Sequence, residues 1–266
     1  MAKLDSEFLF TGRIGNLTAY RPKGSKKIIL RTAGGTSKEK IKNDPEYEKH
    51  RRLNKEFGAC GSGTKGIRRA MYPLQQLGDG AFTGKLNKIT KSLLVLDTVN
   101  EFGRRNIYFS RNPKIFEGFQ LNAADNFDSI VRNPLQHKME KDMFSAQINF
   151  PALIPGINFF VPAGIHPVYS FIATIGIIPD LEYVNEMYKP VCAATSAMAQ
   201  SAWYPVVKGS PAIELRPKLD SLSLTPMPVA PFTLMLSVGI CFGTIGIDNE
   251  IAQVKKMGAA KIVGME

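Results

Sequence analysis

The sequence predicts a mainly β, α+β protein: an N-terminal β-hairpin with about three helices, followed by an antiparallel β-sandwich. Three observations carry that expectation. Between residues 8 and 35, apolar runs flank a turn at "RPKGS", where Pro22 and Gly24 supply turn geometry. From 37 to 102 the pattern changes to helical spacing with Lys and Arg on the opposite face. From about residue 104 onward, short alternating or apolar runs are separated by Pro, Gly, Asn and Asp, the texture of a sandwich or barrel rather than of a βαβ unit.

The elements follow in order. Ile14, Leu17, Ala19 and Tyr20 are the apolar residues of the first hairpin arm, and Ile28, Ile29 and Leu30 those of the second. Asp44 can cap a helix with Pro45 in its first turn and Glu46 and Glu48 near the positive end of its dipole. Tyr47, Leu53 and Phe57 form a sparse apolar stripe on that helix. "TKGIRRAMYPL" continues as helix to about Pro73, and 83–102 is amphipathic, with Leu86, Ile89, Leu93 or Leu94, and Leu96 on one side. Candidate strands are "NIYFS", "IFEGFQLN", "MFSAQINF", "VYSFIATIGII", "SAMAQSAWYPV", "AIELRP", "PFTLMLSVGICF" and "AAKIVGM", with "LSLTPMPVAPF" as a proline-rich connection.

Charge divides the chain more sharply than composition does. The net charge is +11, but residues 1–114 hold +14 and residues 115–266 hold −3. The expected organisation is therefore a basic hairpin-plus-helix region at 1–114 and a sandwich-like domain at 115–266. The chain shows neither a signal peptide nor an apolar run of membrane-spanning length, so a cytoplasmic location is expected. Cys60, Cys192 and Cys241 are isolated, which fits reduced thiols and offers no zinc site.

One motif invites a nucleotide-binding reading. "EFGACGSGTKGIRRAM" places Gly61, Gly63 and Gly66 in the spacing G-x-G-x-x-G. A dinucleotide loop needs a preceding hydrophobic strand and an acidic residue roughly 20 positions later. Here a charged helical stretch precedes it and the basic "GKLNK" follows. The P-loop pattern fails as well, because Gly84–Lys85 is followed by Leu86 where a Ser or Thr is required. The expectation is a small-residue joint between two basic helices. His50 lies among cations, His137 and His166 lie in turn-rich contexts, and Asp125 and Asp128 are too few for a calcium loop. No catalytic set, metal site or cofactor is expected. An enzyme whose site forms only in three dimensions would show itself by a deep pocket containing His137, His166 or Cys192.

The basic residues are the remaining chemical signal. Arg13, Arg21, Lys23, Lys26, Lys27 and Arg31 fall on or beside the hairpin; Arg51, Arg52, Lys55, Lys65, Arg68 and Arg69 fall on the helices. They could hold DNA or RNA phosphates without reading sequence. They could equally dock the acidic half of a neighbouring copy, giving a heterologous contact that propagates into a ring or filament. The favoured expectation is a non-enzymatic, self-assembling homo-oligomer, with nucleic-acid binding as the alternative.

"GRIGNLTAYRPKGSKKIILRTAGG", "IKNDPEYEKHRRLNKEFG" and "GIRRAM" together resemble a family of uncharacterised Bacteroidetes proteins. The shared positions are Gly12, Gly15, Asn16, Tyr20, Asp44, Pro45, Glu56, Phe57, Gly58, Lys65 and Arg68, with "FGRRNI" and "FEGFQLN" as later elements. The resemblance spans the first 122 residues, implies no activity, and implies a helical connection at residues 59–64.

Overall fold

The computed structural model describes residues 2–4, 10–32, 34–161, 166–220 and 231–266. The fold is α+β and mainly β. The chain forms two compact units, Met1–Arg51 and Arg52–Glu266. Compactness thus parts the chain well before the 114/115 boundary suggested by charge. The reason is packing: the helices after residue 51 bury their apolar sides on the large sheet and share its core.

In the first unit, β1 (Ala2–Leu4), β2 (Gly12–Ile14), β3 (Leu17–Tyr20) and β4 (Ile28–Thr32) form an antiparallel sheet in the order β1-β4-β3-β2. The expected first arm is therefore itself a hairpin, turning at Gly15 and Asn16 with Gly15 at φ +58°. A two-residue turn with positive φ matches the twist of paired strands. Helix α1 (Lys38–Asn43) is capped by the Ser37 hydroxyl, which accepts from the Lys40 amide at 3.1 Å. Asp44 does cap, accepting from the Glu46 amide at 3.0 Å, but what it caps first is a 3₁₀ turn, Pro45–Tyr47.

That turn leads into α2 (Glu48–Ala70), a single 23-residue helix in which the four glycines from Gly58 to Gly66 are all helical. The expected joint between two helices is absent. The expected stripe is also on the wrong side: Leu53 and Phe57 are exposed, while Ala59, Cys60, Gly63, Thr64, Ile67 and Ala70 are buried. Small residues face inward because another backbone lies close. A Cβ on Gly176 would stand 2.5 Å from the Ala70 Cα, and one on Gly63 would stand 3.0 Å from the Phe109 ring. After a 3₁₀ turn at Tyr72–Leu77 comes α3 (Phe82–Val95), which buries Phe82, Leu86, Thr90, Leu93 and Leu94 and leaves Leu96 exposed.

The second unit is built on three long antiparallel strands, β7 (Val168–Pro179), β13 (Phe232–Ile245) and β14 (Ile251–Met265). With β10 (Ser196–Gln200) they stand in the order β10-β7-β13-β14, and the two-residue strand β11 (Tyr204–Pro205) also pairs β7. Every residue of β7 is buried, because both faces of the sheet are covered. Alternation divides them. Tyr169, Phe171, Ala173, Ile175 and Ile177 join one core with Leu234, Leu236, Val238, Ile240 and Phe242 of β13. Ile172, Ile178, Met235 and Cys241 point to the other core, with Ile67, Leu74, Leu86 and Leu94 of the helical layer.

The first core is closed by a second, small sheet built from β5 (Gln136–Glu140), β6 (Ser145–Phe150) and β12 (Ile213–Leu215) in the order β12-β6-β5. Phe150 stacks on Phe171 with ring centroids 4.1 Å apart. A short helix, α4 (Phe127–Ile130), adds Phe127 and Ile130 to this core. Sheet faces sheet as expected, but the opposite face of the larger sheet carries helices. The "NIYFS" and "IFEGFQLN" runs are not strands of a sandwich. Ile107 makes an isolated bridge to Leu181, and Phe119 and Leu121 exchange backbone hydrogen bonds with β14 along its edge. The remaining pair, β8 (Leu181–Val184) and β9 (Met187–Pro190), is a hairpin. All but the last two residues of the proline-rich connection lie outside the described residues.

Candidate functional site

A cleft of about 320 Å³ opens between α2 and the segment that leaves β7. On the helix side Ser62, Lys65, Gly66 and Arg69 line it, at spacings that place them on one face. Facing them are Pro179, Leu181, Tyr188, Pro190 and the turn Cys192–Ala193–Ala194. The apolar wall is held in place by Asp180, buried at the β7–β8 corner. Its carboxylate accepts from the Ser110 amide at 2.9 Å and from the Ser110 hydroxyl, and its carbonyl accepts from the Val191 amide at 3.0 Å. Burial pushes the Asp180 carboxyl up, against the pull of the bonds from Ser110.

Cys192 is one of the residues whose presence in a pocket would point to an enzyme. Its environment is wrong for a nucleophile: burial, with the nearby Asp180, pushes the thiol up, and reactive thiols need the opposite. The Tyr188 hydroxyl is likewise raised, first by burial and then by Glu56. His137 is exposed on β5, and His166 packs by Phe242, with ring centroids 5.9 Å apart; neither lines the cleft. Among the described residues no group of three His, Cys, Asp or Glu side chains converges as a metal site would require. No helix of the described residues is long and apolar enough to cross a membrane.

The twelve basic candidates separate by environment. Arg13, Arg21, Lys23, Lys26, Lys27 and Arg31 all lie exposed on the small sheet and its turns, and Arg31 sits 5.3 Å from the centre of the Tyr20 ring. Arg51 has a structural task instead: its guanidinium donates at 2.8 Å to the carbonyls of both Ile41 and Asp44, tying α1 to the start of α2. Arg52 reaches Glu101 at 3.9 Å, and Lys55 is paired to Glu186 at 2.8 Å and donates to the Tyr183 hydroxyl at 3.0 Å. Arg68 is bound through two nitrogens to the Gln75 side-chain oxygen, at 3.0 and 2.7 Å. Lys65 and Arg69 differ from the other helix cations, being exposed on the cleft rim with no acceptor among the described residues.

Sequence reasoning missed a fully buried, fully paired charge. Glu56 is fully buried on α2 and receives Arg105 at 2.7 and 2.8 Å, Lys91 at 2.9 Å and the Gly103 amide at 2.9 Å. Burial alone raises its carboxyl; the bonds from Arg105, Gly103 and Lys91 outweigh that and hold it at about 2. Its partners lie 35 to 49 residues away, so no local signal pointed to it.

No protein-family model matches this chain. None of the curated proteins matches it either.

Proposed function

We propose that this protein is a non-enzymatic structural subunit that assembles with further copies of itself through the unit at residues 1–51. The observation that carries the reading is the lack of an interior in that unit. Among its described side chains only Ala19 and Ile28 are buried, and neither belongs to a core cluster. Ile14 is 62% exposed, and α1 buries nothing. A unit of this size with so few buried side chains among its described residues, and with no cysteine to cross-link it, gains stability from an external surface. Its cations supply direction. Residues 10–32 carry six Lys and Arg and no carboxylate, whereas residues 115–266 are net −3. A basic surface of one copy meeting the acidic part of the next gives a heterologous contact able to close a ring or extend a filament.

Sedimentation velocity of the full chain over a range of concentration and salt tests this. Assemblies that grow with concentration, dissociate in high salt, and are lost in Ile14→Asp are expected. A salt-independent monomer at high concentration refutes the proposal. A second reading, sequence-independent binding of nucleic acid, draws support from the same six cations and from Tyr20 beneath Arg31. It predicts retention on DNA that falls steeply with salt and is abolished by Lys23→Glu with Lys26→Glu.

A further inference from the structure

On the part of α2 that lies in the second unit, Arg52, Lys55 and Arg68 each have an acceptor, and Lys65 and Arg69 have none among the described residues. The two stand four residues apart, so their Cβ atoms lie roughly 5–6 Å from each other and the like charges repel. Gly66 between them carries no side chain, and a Cβ there would come only within 3.8 Å of Pro179, so the space beside the cations is open. Beneath it runs the apolar wall of Pro179, Leu181 and Pro190. Two cations and the Ser62 hydroxyl above an apolar pocket are complementary to a molecule with an anionic end and an apolar body.

We infer that the cleft between α2 and the β7–β9 segment is a binding site for a small organic phosphate, its phosphate held by Lys65, Arg69 and Ser62 and its apolar body against Pro179, Leu181 and Pro190. This inference stands apart from self-assembly, because its cations, Lys65 and Arg69, lie outside the basic surface at residues 10–32. The volume of about 320 Å³ lies at the small end of ligand pockets, roughly 300–1,000 Å³, which suits a single ring or short chain. A nucleic-acid strand would need cations in a row. Here Lys55, further along the helix, is paired with Glu186, and Arg68 is turned to the Gln75 side chain, so the cleft itself is lined by two cations, Lys65 and Arg69. The amides of mid-helix residues are used within α2, so the contacts come from side chains, unlike those of a glycine-rich phosphate loop.

Cys192 supplies the readout. It lines the cleft and is partly exposed, whereas Cys60 and Cys241 are buried. The full-length protein is alkylated with iodoacetamide and modification at Cys192 is followed by mass spectrometry, with phenyl phosphate as probe. At a concentration ten times its dissociation constant, phenyl phosphate is expected to slow modification by about tenfold, since only the empty cleft reacts. Protection should vanish in Lys65→Ala with Arg69→Ala, exposed positions whose loss leaves the melting curve unchanged. Inorganic phosphate and phenol, each bearing half of the recognised chemistry, should protect far less. Absence of protection by phenyl phosphate, its persistence in the double variant, or equal protection by phenol, inorganic phosphate or single-stranded DNA would overturn the inference.

Discussion

Glu56→Gln removes one charge from a fully buried site while preserving its shape. The carboxylate is bound by Arg105 through both oxygens and also by Lys91 and the Gly103 amide. The interval between the ordinary carboxyl value of 4.5 and about 2 corresponds to about 3 kcal/mol of stability at roughly 1.36 kcal/mol per pH unit. Because the folded value is the lower one, that stability is complete above pH 4.5 and disappears as pH falls toward 2. The single tryptophan, Trp203, packs against Gly243 in the large sheet and reports unfolding by fluorescence. Urea titrations at pH 7 should show Glu56→Gln destabilised by about 3 kcal/mol. The gap to wild type should narrow steadily below pH 4.5. Glu56→Ala should cost more, about 3–5 kcal/mol, since Arg105 is then left buried without its partner. A Gln variant within about 0.5 kcal/mol of wild type at pH 7, or one retaining the full acid dependence, would refute this account of the network.

Four further outcomes follow from the packing of α2 and the thiols. Gly61 is helical with nothing near the position of a Cβ, so Gly61→Ala should stabilise by about 0.5–1 kcal/mol in thermal or urea unfolding. Gly176→Ala should do the reverse, by about 1–3 kcal/mol, because the new methyl meets the Ala70 backbone. Native protein treated with iodoacetamide should take up one label, at Cys192, with Cys60 and Cys241 labelled only after unfolding; the Cys241 thiol is pushed by burial to about 12. Since burial and Asp180 raise the Cys192 thiol, its labelling rate should keep increasing with pH beyond the ordinary thiol value of 9.0.

Local signals make much of this fold legible in the sequence. The Asp44–Pro45 cap, the inward face of α3, and the strands β6, β7, β10, β12 and β13 all rest on residues close together along the chain. The departures have one cause. Gly61, Gly63 and Gly66 read as a small-residue joint between two helices because glycine is a poor helix former taken alone, whereas α2 runs unbroken and is stabilised by burial of its small-residue face against Phe109, Leu181 and the Ala70–Gly176 contact. The apolar Leu53 and Phe57 read as inward-facing for the same reason, and the buried Glu56 beside Phe57 carries no local mark of its burial.

The sequence by itself determined the class of the fold, the concentration of positive charge toward the N-terminus, and the failure of the glycine motif as a nucleotide loop. Those properties depend on composition, periodicity and short spacings. Only the tertiary structure decided which cations are committed. Arg51, Arg52, Lys55 and Arg68 are bound to carbonyls, carboxylates or an amide oxygen, while Lys65 and Arg69 border a cleft whose far wall comes from residues more than a hundred positions away. A charge count has no knowledge of such partners, because pairing depends on distances set by the packing of α2 against the sheet.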